Sequence, residues 1–172
     1  MPIFESIGES FSAVSTGGFA VHDDSLAYYH SHLIEVIAVV FMLLGATNFS
    51  LHYPFFKKRR LSTYTHDPEF KFYLKILGSA IFISFIVLML YGTYHHQIVE
   101  SFAQSLFMVS SVATTTGFSI TDLNHWPTFL PFFLMFLALI GGCGGSTSGG
   151  IKVLRFLLLK QQTNAVSIFL IQ

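Results

Sequence analysis

The chain has 172 residues, of which 52% are hydrophobic and only 10% are charged. A soluble globular domain carries about 25% charged residues, so most of this chain is predicted to lie in lipid. Nine Lys and Arg balance nine Asp and Glu, and this neutral balance does not favour a nucleic-acid partner. The single cysteine, Cys143, excludes an intramolecular disulfide, and the eight histidines show no metal-ligand spacing with Cys or Asp.

The first apolar segment, residues 3–14, mixes apolar residues with Ser, Gly and Glu. A helix needs roughly 20 residues to cross about 30 Å of hydrocarbon, so this segment is too short to span a membrane. It fits either an amphipathic helix on the membrane surface or a re-entrant helix that enters and leaves on one side. Residues 20–32, which follow after a short turn, are polar and aromatic, as is typical of the membrane interface.

A long apolar run over residues 33–56 is predicted to form the first membrane helix, about 36 Å in length. Four basic residues, Lys57 to Arg60, follow it directly, and the positive-inside rule places them in the cytoplasm. A contact with anionic lipid would lie on the same side. The run contains a patch of small and polar residues, which suits packing against another helix or an ion contact. The patch comprises Gly45, Thr47, Asn48 and Ser50.

The second membrane helix is predicted over residues 68–94, starting at Asp67-Pro68, where a capping residue precedes a proline in the first helical turn. It would run from the cytoplasm to the outside. Residues 100–113 are again too few to span the bilayer, and both of their neighbours lie on the outer side. This segment should therefore dip into the membrane as a short helix whose carbonyl end favours a cation.

An internal repeat links the two short segments. A shift of 99 positions aligns Thr114-Thr115-Thr116-Gly117-Phe118 with Ser15-Thr16-Gly17-Gly18-Phe19. The aligned pairs are Ser6 with Ser105, Ser12 with Ser111, Thr16 with Thr115, Gly18 with Gly117, Phe19 with Phe118, and Asp23 with Asp122. A short helix, a hydroxyl-rich turn ending in Gly and a following membrane helix form the layout of a pore loop, whose backbone carbonyls replace an ion's hydration shell.

The chemistry of the repeated turn predicts a monovalent cation. Neither turn contains a carboxylate, and neutral oxygens suit monovalent cations, whereas carboxylate-rich sites suit calcium. Gly117 permits the positive φ that lets successive carbonyls point the same way. Asp23 and Asp122 lie just beyond the turns, where each either concentrates cations at the mouth or caps a turn.

The last membrane segment is predicted over residues 127–159, interrupted by a glycine-rich stretch at residues 141–150. Glycine costs about 1 kcal/mol per helical position relative to Ala, so this stretch should not hold a helix well. Non-helical backbone at membrane depth occurs only where protein buries it or where it lines a cavity. The stretch therefore fits a flexible loop that lies across an ion path as a gate, although its Gly-x-x-x-Gly spacing also suits close helix packing.

These motifs resemble those of the Trk, Ktr and HKT superfamily of potassium uptake proteins, in particular the bacterial TrkH branch. The resemblance covers essentially the whole chain and is carried by residues 15–19 followed by His22-Asp23, by residues 114–118, and by residues 140–155. It implies an all-α membrane protein built from potassium-channel-like repeats. Each repeat has a membrane helix, a re-entrant pore helix with a filter loop, and a second membrane helix, and the last helix here is broken by the Gly-rich intramembrane loop.

By this resemblance the chain holds two of four repeats. Residues 1–60 form the second repeat without its first membrane helix, residues 61–160 form a complete third repeat, and residues 161–172 form a cytoplasmic connection to a fourth. The potassium-binding filter comprises Thr16, Gly17, Gly18, Thr115, Thr116 and Gly117, with the ion against the carbonyls of Thr16, Gly17, Thr115 and Thr116. The gating loop comprises Gly141, Gly142, Gly144, Gly145, Ser146, Thr147, Gly149 and Gly150.

The function implied is potassium transport across the bacterial inner membrane by a multi-pass protein that performs no enzymatic chemistry. The expected partners are membrane lipid, a second copy in a homodimer, and a TrkA-like cytoplasmic nucleotide-binding subunit. Two filters of four cannot surround an ion, so either the chain is part of a longer polypeptide or several copies assemble. The alternatives are a non-conducting membrane protein that interacts with full-length subunits and, with no nucleophile or carboxylate pair to support it, a membrane enzyme.

Overall fold

The computed structural model describes residues 1–59 and 62–171, and for Lys58 and residues 164–171 it describes the helix alone. Every regular element in this part of the chain is helical. The helices are α1 (Ile3–Val14), α2 (His32–Gly45), α3 (Phe49–Lys58), α4 (Ser62–His66), α5 (Pro68–Tyr91), α6 (Ile98–Ala113), α7 (Phe129–Ile140) and α8 (Val153–Ile171). Arg60 of the basic cluster, Leu61 and Gln172 lie outside the described residues.

The two short helices have the predicted positions. Helix α1 covers the predicted range, and α6 begins two residues before the predicted start, at Ile98. Helix α6 lies at the centre of the fold and packs against α2, α5 and α7. Its Phe107, Met108 and Val109 are fully buried in the main apolar core, together with Leu134 of α7. A helix too short to span a membrane is thus enclosed by three other helices, of which α5 is long enough to span one.

Helix α5 is the one described helix that is long and apolar enough to cross a bilayer unaided. It begins at the predicted cap, where the Asp67 carboxylate accepts a hydrogen bond from the Phe70 amide at 2.7 Å. It ends at Tyr91 rather than at the predicted position 94, because Gly92 adopts a left-handed conformation with φ of 62°.

The predicted continuous helix over residues 33–56 is wrong. The structure divides this run into α2 and α3, which meet at an angle of 102°. Asn48 starts a new helix by accepting a hydrogen bond from the Ser50 amide at 2.9 Å, and the Thr47 hydroxyl bonds back to the Leu43 carbonyl at 2.8 Å. The patch of small and polar residues therefore contains a helix break. It also supports the predicted packing contact, because a Cβ on Gly45 would lie 2.5 Å from the Val14 carbonyl oxygen at the end of α1.

The last membrane segment is broken as predicted, with different bounds. Helix α7 starts at Phe129, and the chain becomes helical again at Val153. Helix α8 then continues to Ile171, so the connection predicted over residues 161–172 is helical as far as Ile171. No Gly or Pro interrupts the sequence of α8, which explains its length.

The outer faces of these helices are strongly apolar. Leu33 on α2, Phe82 on α5 and Phe132 on α7 are 70%, 63% and 59% exposed, respectively. Soluble monomers rarely expose apolar surface on this scale, whereas lipid or further protein would cover it. The exposed surface agrees with the membrane setting that the composition predicts.

Candidate functional site

Helices α1 and α6 end in the same hydrogen-bonded turn. In α1, three amides donate back into the last turn of the helix: Ser15 to Phe11 at 2.9 Å, Thr16 to Ala13 at 3.3 Å and Gly17 to Ser12 at 2.9 Å. The same three bonds, displaced by 99 residues, close α6: Thr114 to Ser110 at 3.0 Å, Thr115 to Val112 at 3.0 Å and Thr116 to Ser111 at 2.9 Å. This is the Schellman arrangement, and its repetition shows that the sequence repeat is also a structural one.

Both turns place a threonine where glycine is usual. Thr16 and Thr115 have φ values of 51° and 58°, in the left-handed region. The glycines two residues later, Gly18 and Gly117, have φ values of 69° and 93°. A left-handed conformation costs a residue other than glycine about 1–2 kcal/mol, so the surrounding structure holds both threonines in place. Positive φ values thus recur at every second residue in each turn, at Thr16 and Gly18 and at Thr115 and Gly117.

The two turns contact each other through backbone atoms. A Cβ added to Gly18 would lie 1.9 Å from the Thr116 carbonyl oxygen, so only glycine fits at this approach. Behind the second turn, the buried Ser111 hydroxyl donates to the Phe118 carbonyl at 2.6 Å. The hydroxyls of Thr114 and Thr116 lie 2.7 Å apart. The predicted filter residues are thus brought together, with a hydroxyl network supporting the second segment.

An acidic cavity of about 1370 Å³ opens beyond the turns. Glu5, Asp23, Asp24 and Asp122 line it. Asp122 also caps a turn by accepting a hydrogen bond from the amide of Asn124 at 2.9 Å, and this bond lowers the pKa of the Asp122 carboxyl. Asp122 therefore caps a turn and also lines the cavity.

Tyr29 borders the same cavity. Its hydroxyl donates to the Glu5 carboxylate at 2.9 Å, and His22 Nε2 lies 3.6 Å from the same oxygen. Desolvation and the Glu5 carboxylate together raise the pKa of Tyr29 to about 12. The tyrosine remains neutral and holds Glu5 in place at the rim of the cavity.

The glycine-rich loop leaves the helix and returns to the same point. The amides of Ile151 and Lys152 donate to the last carbonyls of α7, at Leu139 and Ile140, with lengths of 2.9 Å each. Gly141 has a φ of 71°, and a Cβ there would lie 2.1 Å from the Gly149 carbonyl oxygen. The two ends of the loop therefore lie side by side, at the junction of α7 and α8. Because Gly141 and Gly145 both have left-handed φ values, this stretch is not a helix-packing motif of the Gly-x-x-x-Gly type.

The loop is bonded to the break between α2 and α3. Its Cys143 and Thr147 amides donate to the Ala46 and Gly45 carbonyls at 2.9 and 3.2 Å, respectively. In the other direction, the Phe49 amide at the start of α3 donates to Gly145 at 3.2 Å. Carbonyls that the helix break releases are thus satisfied by loop amides, and this explains how non-helical backbone persists on both sides.

The loop also contacts both of the turns that are predicted to form the filter. The Thr147 hydroxyl lies 3.1 Å from the Thr16 hydroxyl, and the Gly149 amide donates to the Thr115 hydroxyl at 2.6 Å. Thr16 and Thr115 are equivalent in the repeat, so each turn contributes the same side chain to the contact. In this structure the loop lies directly against the predicted filter.

Two charged residues of this site were missed from the sequence. Glu69, in the first turn of α5, is only 5% exposed, and its carboxylate accepts a hydrogen bond from the Gly144 amide. The Lys152 ammonium folds back over the loop and donates to the Ser146 and Ser148 carbonyls. The local signals were an acidic residue beside a helix-starting proline and a lysine two residues after the last glycine.

No group of three or more His, Cys, Asp or Glu within residues 1–59 and 62–171 could hold a metal ion. The two turns themselves, residues 15–19 and 114–118, offer carbonyl and hydroxyl oxygens and contain no carboxylate.

Comparisons with known proteins agree with this geometry. The chain matches the TrkH family, described as a cation transport protein, over residues 1–167. It is 43% identical to the Trk system potassium uptake protein TrkH of Halomonas elongata, over 92% of this chain and 33% of that protein. It is 40% identical to the protein of the same name from Escherichia coli strain K12, over 95% of this chain and 34% of that protein.

A solved structure has the same fold. The crystal structure of the potassium transporter TrkH from Vibrio parahaemolyticus matches 99% of this chain and 37% of its own chain, with a TM-score of 0.94 and 40% identity. The match confirms the predicted fold class of an all-α membrane protein. The chain spans about a third of the length of the curated relatives that it matches. Family match, sequence identity and structural similarity agree, and the chain belongs to the TrkH family of cation transport proteins.

Proposed function

We propose that this chain supplies two of the four filter segments, and the gating loop, of a potassium uptake protein. Residues 1–60 would form the second repeat and residues 61–160 the third, with the rest of α8 leading towards a fourth. Potassium would lie against the carbonyls of Thr16 and Gly17 in one segment and of Thr115 and Thr116 in the other. The relatives' printed names, potassium uptake protein and potassium transporter, support potassium as the ion.

The observation that carries this proposal is the repeated turn at the ends of α1 and α6. Two helices bring their carbonyl ends to one place, where about half a negative charge from each favours a cation. The turns that follow share their hydrogen bonds and their alternation of φ, and they touch through Gly18 and Thr116. A general packing role would not require the same strained threonine in both turns.

The glycine-rich loop supports the second half of the proposal. It lies against both turns, and hydrogen bonds attach it to them and to the break between α2 and α3. A segment of this kind in the ion path can move without unfolding the helices that carry it. We therefore assign the gate to residues 141–150.

The experiment that tests the proposal is rubidium uptake into liposomes. One sample holds the 172-residue chain, and another holds a chimera in which this chain replaces the matching 37% of Vibrio parahaemolyticus TrkH. Uptake by the chimera that is abolished by replacing both Gly18 and Gly117 with Ala is the expected result. A folded chimera that carries no rubidium would refute the proposal. Uptake by the isolated chain would show that copies complete the pore by self-association.

The expected setting follows from the same family. We propose that the protein is a multi-pass protein of the bacterial inner membrane, that it pairs as a homodimer, and that it binds a TrkA-like cytoplasmic nucleotide-binding subunit. The word "system" in the relatives' names agrees with further subunits. Crosslinking of the chimera in native membranes, followed by mass measurement, tests the homodimer directly.

A further inference from the structure

The side of the filter that faces the loop is made of two hydroxyls. Thr16 and Thr115 occupy equivalent positions in the repeat, and both reach the loop through Oγ1. Thr16 meets Thr147, whose own hydroxyl lies 3.1 Å from the carbonyls of both Val14 and Gly45. Thr115 accepts from the Gly149 amide. These contacts differ from the other loop contacts because they join the loop to the filter itself.

We propose that Thr16 and Thr115 latch the loop against the filter, so that their hydroxyls set how readily the loop leaves the ion path. This inference rests on the proposed role of the loop as a gate. It adds a second role to the two threonines, because the filter requires their carbonyls whereas the latch requires their side chains.

The hydrogen-bonding capacity of the hydroxyls allows the latch to have two contacts, one at Thr16 and one at Thr115. A hydroxyl has one proton and two acceptor lone pairs. The Thr16 hydroxyl has two possible acceptors, the Ser15 carbonyl at 2.7 Å and the Thr147 hydroxyl at 3.1 Å. When its proton goes to Ser15, Thr147 can donate to Thr16 instead, so the contact between the two threonines is available either way. Thr115 needs only a lone pair to accept from Gly149. Replacing Thr115 with Val keeps the branched shape and leaves the Gly149 amide unpaired.

The size of the effect follows from the number of hydrogen bonds lost. One hydrogen bond in a folded protein shifts an equilibrium by about 2- to 10-fold. Thr115→Val and Thr147→Val should each favour the released loop by about this factor. Thr16→Val should have a smaller effect, because Thr147 keeps its two carbonyl partners.

Cys143 allows loop release to be measured without any transport assay. It is the only cysteine of the chain and lies in the loop with 0% exposure. Its rate of reaction with N-ethylmaleimide therefore reports how often the loop opens. The measurement uses membranes that hold the chimera in a form whose only cysteine is Cys143.

We expect Thr115→Val and Thr147→Val to speed labelling of Cys143 by about 2- to 10-fold, and Thr115→Ser, which keeps the hydroxyl, to restore the original rate. The matched control is Thr163→Val, since the Thr163 hydroxyl donates to the Leu159 carbonyl one turn earlier in α8. Thr115→Val removes a hydroxyl from the filter side of the latch, and Thr147→Val removes one from the loop side. Either variant therefore tests the latch if it folds.

Two outcomes would overturn the latch. In the first, folded Thr115→Val and Thr147→Val label Cys143 at the original rate. In the second, Thr163→Val speeds labelling of Cys143 as much as they do. Rubidium uptake separates this result from the proposed function. A chimera that transports rubidium but shows no change in labelling refutes the latch alone, whereas responsive labelling without uptake refutes potassium transport and leaves the latch standing.

Discussion

Replacing Gly18 with Ala should reduce ion uptake more than the same replacement at Gly17, in the same turn, or at Gly78, in α5. The backbone at Gly18 has a φ of 69°, which costs an L-residue about 1–2 kcal/mol. The added Cβ would also lie 1.9 Å from the Thr116 carbonyl oxygen, whereas real Cβ atoms essentially never approach a heavy atom within 3.0 Å. The two filter segments must therefore separate by about 1 Å.

The backbone strain alone corresponds to a loss of about 5- to 30-fold in the population of the native filter, and the steric clash adds to it. The assay is rubidium uptake by the chimera, with and without competing sodium. We expect uptake to fall by at least about 10-fold and the remaining uptake to discriminate poorly against sodium, because carbonyls that are spread apart no longer match the dehydrated ion.

Gly78→Ala is the matched control for this prediction. Gly78 lies in the middle of α5, and a Cβ there meets no heavy atom within 4 Å. Alanine is favoured over glycine in a helix interior by about 1 kcal/mol, so this variant should fold and transport normally. If Gly18→Ala transports rubidium with the rate and selectivity of Gly78→Ala, the assignment of Gly18 and Thr116 to a filter is wrong.

Three further predictions concern other parts of the site. Gly117→Ser should lower the ratio of potassium to sodium uptake, because a φ of 93° is strained for serine, and an unchanged ratio contradicts this. Glu69→Leu should lower the thermal unfolding midpoint by leaving the Gly144 amide unpaired, at a cost of about 1–3 kcal/mol, whereas Glu69→Gln keeps an acceptor and should be milder. Asp122→Asn should slow uptake at low ionic strength and not at high salt. The hydrogen bond from Asn124 lowers the pKa of Asp122, so the carboxylate should still be charged at about pH 5. The unsubstituted protein should therefore still be faster than Asp122→Asn at this pH and low ionic strength. Equal rates would contradict a role for the Asp122 charge in attracting cations.

Much of this architecture could be predicted because the determining signals are local. The bounds of α1 follow from an apolar segment that ends in Ser-Thr-Gly, and the start of α5 follows from Asp67-Pro68. The repeat itself predicted that two distant turns would share a conformation. The glycine content of residues 141–150 was sufficient to predict a break in the last membrane segment.

The break between α2 and α3 could not be predicted in the same way. The apolar run over residues 33–56 is long enough to span a bilayer, and nothing within it is as disruptive as the later glycines. Asn48 and Thr47 can cap and bend a helix, but they do so here because Cys143 and Thr147, about a hundred residues further on, bind the released carbonyls. The buried Glu69 was missed for the same reason, since its partner is also in the loop.

The two helix breaks therefore depend on each other. The carbonyls of Gly45 and Ala46 would lack partners at membrane depth without the loop, and the loop amides would lack acceptors if α2 continued straight into α3. Each unpaired buried group costs about 1–3 kcal/mol, so the paired breaks are favoured over either break alone. If the loop moves to open the pore, these carbonyls must find new partners or the α2–α3 bend must move with it. Opening of the proposed gate would then involve the bend between α2 and α3 as well as the loop.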